Sequence, residues 1–245
     1  MGLTVEQYHF FRHNGFIKLP ERIPSQIIAE LKNTILSHIE DRVEPITVDQ
    51  HNRPIRISRI WERGGIFQSV ITHPCVLNPL ETLLGPNIEY LLNRHNHATL
   101  RLKDDHYSAM STGIHRDVDQ WTRTIVTVLF YLEDTNLDNG CTYVVPGTHL
   151  AQGRPYGSPT IDDDPALRAS GILDQRVPVP MPAGGLLAID SMLFHAAGQN
   201  KTDGSRISMT AGYHSVDDFA GVSDPKRVLV CGEKTYQGND PQQKD

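Results

Sequence analysis

The sequence predicts an α+β chain, mainly β, organised as a β-sandwich or jelly roll. Helical signals occupy the first 85 or so residues, strand signals occupy the rest, and no strand–helix–strand alternation links them. A chain of 245 residues suits one large domain or two small ones. The expected layout for 1–245 is N-terminal helices over about 4–85 and a β core over about 88–231, with an insertion at about 151–173.

Thr4 and Gln7 stand three apart, the spacing of a capping box, and open a helix through about Arg12 that Asn14-Gly15 closes. Phe16-Ile17-Lys18-Leu19 follows as a short strand. Ser25 is the expected cap of a second helix through about Glu40, because Ile27, Ile28, Leu31, Ile35 and Ile39 recur on one helical face. A third helix is expected from Pro74 to Leu84, ending at Gly85. Between the second and third lies a basic stretch with Arg53, Arg56, Arg59 and Arg63, on loop or helix. It is either a solvated face or a patch that steers an anionic substrate.

Beyond Asn87, β-branched and aromatic residues gather in runs at 88–102, 124–132, 142–145, 185–189, 205–214 and 227–231. Turn signals separate them: Asp138-Asn139-Gly140, Pro146-Gly147, Ala183-Gly184-Gly185 and Asp203-Gly204. The segment 151–173, rich in Pro, Gly, Ser and Asp, is expected to form a lid rather than a domain boundary.

Composition narrows the partners. Basic residues number 23 and acidic residues 29, and the net charge of −6 argues against binding nucleic acid or an anionic membrane. The longest apolar run, 124–132, is too short to span a bilayer, and the N-terminus lacks the regions of a signal peptide. Cys75, Cys141 and Cys231 are odd in number and form no Cys-x-x-Cys, so neither a disulfide framework nor a cysteine zinc site is expected. The expectation is a reduced, cytoplasmic protein, monomer or homodimer, acting on a small molecule.

The chemistry concentrates in four residues. His115 and Asp117 lie two apart, so on an extended segment both side chains leave the same face. Among 12 histidines a His-x-Asp arises about once by chance, so its weight comes from its surroundings. The third ligand should come from a neighbouring strand. His195 fits, because 186–189, a turn at Asp190-Ser191, and 192–195 form a strand–turn–strand unit. A histidine ending an apolar run is also a common core residue, and both readings stand on this pattern alone. Two imidazoles and one carboxylate form the facial set of non-haem Fe(II) oxygenases, which leaves positions open for O2 and a co-substrate.

Arg206 favours the metal reading. It opens the strand Arg206-Ile207-Ser208-Met209-Thr210, with Arg206, Ser208 and Thr210 on one face. A guanidinium deep in a pocket holds a carboxylate through two parallel hydrogen bonds, and Ser208 can add a hydroxyl. Further along the β region, Asn93, His95, His97, Thr99 and Arg101 place polar groups at alternate positions. They line a wet cavity or form a solvated outer face.

With Asp138-Asn139-Gly140-Cys141, Val145-Pro146-Gly147-Thr148-His149, Pro182-Ala183-Gly184 and the His195-to-Arg206 spacing, the chain resembles the phytanoyl-CoA dioxygenase family of 2-oxoglutarate-dependent oxygenases. The resemblance covers about residues 4–215. It implies a double-stranded β-helix with the N-terminal helices packed on one sheet, and a catalytic Fe(II) on His115, Asp117 and His195. It also implies 2-oxoglutarate anchored by Arg206, with Ser208, Thr142 and Thr99 beside it, although core packing accounts for Thr142 nearly as well. His149 is structural in the family's turn.

The family's best-known member has a peroxisomal signal and a fatty acyl-CoA substrate. This chain shows no such signal and is similar to the bacterial and fungal branch that modifies small metabolites. Trp121 resembles a similarly placed residue in ectoine hydroxylase-like members; it walls the substrate site or packs under the lid. Asn93 and His97 are the other expected substrate contacts. The implied reaction is hydroxylation of a small polar metabolite or natural-product intermediate, using O2 and releasing succinate and CO2. Desaturation, epoxidation or ring formation draw on the same cofactors. A non-redox cupin-like metalloenzyme would have no use for the Arg206 and Ser208 clamp. A carbohydrate-binding jelly roll would need aromatic platforms that 7% aromatic residues scarcely supply.

Overall fold

Period-two patterning along the central strands builds a sheet with two unlike faces. The computed structural model describes residues 1–103, 113–117, 124–150, 169–219 and 225–234. Among them, nine strands form one sheet and three form a second. The larger sheet runs β1 (Phe16–Lys18), β9 (Leu186–Asp190), β6 (Ile125–Tyr131), β11 (Arg206–Ser215), β5 (His97–Arg101), β3 (Pro54–Ser58) and β2 (Ile46–Val48). The far half of β11 also pairs with β4 (Ile88–Leu91), which carries β12 (Arg227–Cys231). The smaller sheet runs β10 (His195–Ala197), β7 (Thr142–Val144) and β8 (Val177–Val179). All of these pairings are antiparallel.

Val126, Val128 and Phe130 of β6 share one core with Ile207, Met209 and Ala211 of β11, Ala98 and Leu100 of β5, and the N-terminal helices. Alternation sends the intervening residues to the opposite face. There, Tyr131, Leu187 and Ile189 meet Val144, Val179 and Met181. On the same inner face, Thr127, His97, Thr99, Ser208 and Arg206 line a cavity. One face of the sheet is core, and the other becomes a site.

The helices cover the apolar face. α1 (Val5–Asn14) starts at Thr4 with both hydrogen bonds of the capping box and ends at Gly15, φ 78°. α2 (Ser25–Glu40) buries Ile28, Leu31, Ile35 and Ile39, each contributing about 1.5–3 kcal/mol of burial. Pro24 rather than Ser25 occupies its cap position and supplies no capping oxygen; Ser25 is the first helical residue. α3 (Gly65–Ile71) and α4 (Pro74–Leu84) complete the layer, the latter with Pro74 in its first turn.

Besides the cap of α2, the structure departs from the sequence reading in four places. The stretch 88–102 is not one strand: β4 and β5 are separated by a turn in which His95 adopts φ 53°. β11 is long enough to pair with both of them. The basic stretch contains β3, in which fully buried Ile55 and Ile57 flank Arg56, followed by a short 3-10 turn at Trp61–Arg63. Within that stretch, Arg53 pairs with Asp49, and Arg63 donates to the carbonyls of Ser58, Val43 and Pro45. Third, His195 opens β10 in the smaller sheet, because the chain leaves the larger sheet after Asp190 and crosses over. Fourth, α3, β2 and β8 have no counterpart in the expectation, being too short for a period to register. Residues 151–168 of the expected lid, and Trp121, lie outside the described residues. Among the described residues no helix is long and apolar enough to cross a membrane.

Candidate metal centre

Backbone pairing alone brings the three candidate ligands together. His115 and His195 exchange both backbone hydrogen bonds, at 2.9 and 3.0 Å, as an isolated antiparallel bridge. Asp117 N–H donates to the Ser191 carbonyl at 2.8 Å, which fixes the segment two residues on. Nearby, the Asp138-Asn139-Gly140 turn packs Gly140, φ 82°, against Gly198 so closely that no Cβ fits, and Gly198 N–H donates to Cys141 O at 2.9 Å. That contact ties the start of β7 to the exit of β10. The ring centroids of His115 and His195 end up 4.5 Å apart.

The next layer of hydrogen bonds orients the ligands. His115 Nδ1 donates to Gly113 O and His195 Nδ1 to Leu193 O, both at 2.9 Å. A carbonyl can only accept, so in each neutral imidazole the proton sits on Nδ1 and Nε2 presents its lone pair. Asp117 Oδ2 receives His95 Nε2 and the Thr127 hydroxyl, both at 3.1 Å, and Ser191 Oγ stands 2.9 Å behind Thr127. Oδ1 is left facing the two Nε2 atoms, 3.8 Å from His115 and 3.5 Å from His195. Ligand atoms of the three residues all lie within 4.8 Å of one another, a group that could hold a metal ion.

Electrostatics hold His115 and Asp117 in their ligating states. Burial, reinforced by the neighbouring His195, pushes the His115 imidazole down to about 4, so it is neutral at physiological pH. Burial alone would raise the Asp117 carboxyl. His95 and His195 and the hydrogen bond from His95 outweigh it, with His115 adding, and the group stays well below the usual carboxylate range.

The cavity measures about 420 Å³, and its lining includes His115, Asp117 and His195 together with Arg206, Ser208, Thr142, Thr99, His97 and Asn93. Every predicted site residue within the described segments therefore meets in one place. Arg206 is 2% exposed, and its buried Nε has no hydrogen-bond partner. Across β11 and β5, Arg206 opposes Arg101 and Ser208 opposes Thr99. Thr142 Oγ1 bonds the Tyr131 phenol at 2.7 Å, and burial pushes that phenol up to about 12, so it remains protonated. His97 is held neutral, chiefly by burial and then by the Arg56 cation, with Nε2 2.9 Å from Thr210 Oγ1. His149 instead spans to Arg12 O at 3.0 Å, a structural contact.

His95, Thr127 and Arg94 were not expected here as site residues. The polar alternation already included His95, but only the left-handed turn brings it to Asp117. Thr127 sits in an apolar run where nothing marks it.

A double-stranded β-helix with a His–Asp–His cluster beside a buried arginine has the architecture of a non-haem iron oxygenase. Solved structures share the fold. The α-ketoglutarate-dependent epimerase SnoN from nogalamycin biosynthesis aligns with a TM-score of 0.72 at 19% identity, covering 95% of this chain and 98% of that one. EctD from S. alaskensis, solved with bound Fe, aligns with a TM-score of 0.70 at 18% identity, covering 87% of this chain and 77% of that one. The phytanoyl-CoA dioxygenase family model matches residues 11–208, and the chain belongs to that family of 2-oxoglutarate-dependent non-haem iron oxygenases. Peroxisomal phytanoyl-CoA dioxygenase of Homo sapiens is 26% identical, across 96% of this chain and 77% of its own length. A probable phytanoyl-CoA dioxygenase of Caenorhabditis elegans is 22% identical, across 88% and 76%. Family membership sets aside the cupin-like and carbohydrate-binding readings.

Proposed function

We propose that this chain acts as one domain over 1–245, a dioxygenase that uses Fe(II), 2-oxoglutarate and O2 to hydroxylate a small polar metabolite or natural-product intermediate. The observation that carries the reading is the convergence, in one cavity, of three preoriented ligand atoms and a buried guanidinium with an unpartnered Nε. His115, Asp117 and His195 would hold the metal. Arg206 would hold the far carboxylate of 2-oxoglutarate, with Ser208, Thr142 and Thr99 as hydroxyl partners. When bound, Fe(II) would activate O2 as the oxidant, with 2-oxoglutarate giving up two electrons as it becomes succinate and CO2 and the substrate giving up the other two.

The protein's part is positioning and exclusion. A carboxylate meeting Arg206 would partner the buried Nε that folding leaves unsatisfied, and burial limits the water that would compete. His95 and Thr127 hold the far oxygen of Asp117, so the near oxygen keeps one orientation. Asn93, His97 and Trp121 would contact the substrate. A cavity of about 420 Å³ suits a small molecule.

Succinate formation from 2-oxoglutarate with Fe(II) and ascorbate tests the reaction class. A metabolite library screened for stimulated succinate release tests the substrate class. Stimulation by long-chain acyl-CoA esters alone would overturn the small-metabolite reading.

A further inference from the structure

His97 lines the cavity from β5, in a register that runs Ser58, His97, Thr210 across β3, β5 and β11. Thr210 lies four residues past Arg206 on β11, about 13 Å along an extended strand, so His97 stands well away from that guanidinium. Its ring centroid is 6.0 Å from that of His95, whose Nε2 bonds Asp117. His97 therefore sits toward the candidate ligands, one imidazole removed from Asp117.

The ring's chemistry follows from its partners. Burial holds His97 neutral, so one nitrogen carries a proton and the other a lone pair. Nε2 lies 2.9 Å from Thr210 Oγ1, and the same hydroxyl lies 3.5 Å from the His97 carbonyl. A hydroxyl has one hydrogen, and a carbonyl can only accept. Both contacts are made together only when the hydroxyl donates to the carbonyl and accepts from Nε2–H. The backbone carbonyls behind His115 and His195 fix the reverse tautomer, with the proton on Nδ1. In His97 the lone pair is left on Nδ1. That nitrogen has no hydrogen-bond partner among the described residues and is not sealed in the core, so it opens on the cavity.

We propose that His97 Nδ1 accepts a hydrogen bond from a hydroxyl or N–H group of the primary substrate, and that Thr210 is the positioning residue that keeps the lone pair there. The inference deepens the reading above and rests on it, because it gives His97 to the substrate and Arg206 to the co-substrate. An alkyl chain at this position leaves Nδ1 without a partner, and a carboxylate faces it with lone pairs of its own. Both are disfavoured, since a site built around a hydrogen bond rejects analogues that cannot make it. The substrate is thereby narrowed to a molecule with a hydroxyl or N–H donor near its reacting carbon.

Nitrogen NMR of the full chain, isotopically labelled at histidine and loaded with Zn(II) and 2-oxoglutarate, reads the tautomer directly. The ring is assigned by the signal missing from His97→Gln, or by its contacts with Thr210 in the wild type. The expected pattern at pH 7 is a protonated Nε2 and a bare Nδ1. Ethylene glycol should move the Nδ1 resonance to lower frequency and its dimethyl ether should not, with apparent affinities at least about tenfold apart. Thr210→Val, which keeps the shape and loses the hydroxyl, should give a mixture of tautomers and narrow that preference. A protonated Nδ1, an imidazolium, no response to ethylene glycol, an equal response to its ether, or an unchanged tautomer in Thr210→Val would each overturn the proposal. If Thr210→Val does not fold, the wild-type spectrum and the two probes still decide. Failure of the dioxygenase reading has a separate signature, no 2-oxoglutarate binding by the metal-loaded protein before any probe is added. The His97 tautomer and its response to ethylene glycol are read all the same.

Discussion

Among the described residues, two buried clusters combine histidine with a carboxylate, and they are built for opposite ends. Where β4, β11 and β12 meet, Glu89 is surrounded by His214 at 3.2 Å, Arg227 at 3.4 Å and Lys234 at 3.8 Å. Two of those partners are permanent cations, so the protein neutralises its own acid. At the cavity, the Asp117 carboxylate meets imidazoles and a hydroxyl instead, and among the described residues no lysine or arginine pairs with it. Arg94 comes near but donates to the backbone carbonyl. One cluster is complete as folded; the other presents lone pairs converging on a common point.

Substitutions at the two clusters should therefore fail in different ways. The largest effect is expected at the cavity: His115→Ala or Asp117→Ala should abolish turnover and remove metal from the purified protein, while the far-UV spectrum stays native. Bound ions are read by elemental analysis, where Ni, Co or Zn can replace Fe because affinity order does not favour iron. Full activity in either variant would falsify the assignment.

Glu89→Ala should do the reverse. It strands the buried His214 and Arg227 beside an absent partner, and breaking a buried ion pair in this way costs about 3–5 kcal/mol. Denaturant titration should show that loss, while the remaining folded protein still binds a divalent ion. Loss of metal at intact stability would erase the contrast between the clusters.

Arg206→Ala probes the cavity's other end. Removing a buried charge-assisted contact should raise the 2-oxoglutarate requirement by the equivalent of about 2–5 kcal/mol, with metal binding retained. Arg206→Lys should recover only part, since an ammonium lacks the planar fork. An unchanged requirement in Arg206→Ala removes the clamp from the mechanism.

The clusters also predict an acid response of the metal-free protein. His115 titrates near 4 when folded and near the ordinary 6.5 when unfolded, so between those values the unfolded chain binds more protons. Stability is fully present above about 6.5 and falls as pH drops toward 4, by at most about 1.4 kcal/mol per pH unit for this histidine. Buried His97 shifts in the same direction. Asp117, depressed in the fold, adds a loss of the same sign below its unfolded value of 3.8. Thermal midpoints at pH 7 and pH 5 measure the slope, and His115→Ala should flatten it. A slope unchanged in that variant would place the response elsewhere.

How much of this was visible beforehand depended on whether a contact is local. The caps of α1 and the apolar stripe of α2 are written within a few turns of chain, so both helices were legible. His115 and Asp117 share a face through a spacing of two, and Arg206 and Ser208 through the same rule on β11. The crossing of His195 into the second sheet depends on pairing with Val144, 51 positions earlier (195 − 144), and its meeting with His115 on a bridge across 80, neither of which a local pattern encodes. The strand that carries Arg56 was hidden for a different reason: one buried isoleucine on either side is too short an alternation to separate a strand from a charged loop.

The smallest expected effect tests the hydrogen bonds behind the candidate ligands. Thr127 sits on β6 between buried valines, and its hydroxyl reaches Asp117 Oδ2 at 3.1 Å with Ser191 Oγ at 2.9 Å on its other side. Thr127→Val keeps the shape and removes that donor, leaving His95 alone to hold the far oxygen. Partners of this kind typically govern 10- to 100-fold in metal affinity, and with His95 still present a loss near tenfold is expected. Competition against a chelating dye would read it. The corresponding loss of a donor at Glu89 should leave metal affinity untouched, because its cations stay in place. Equal metal affinity in Thr127→Val and wild type would mean that the backbone bridge of His115 and the Asp117–Ser191 hydrogen bond suffice to orient the carboxylate.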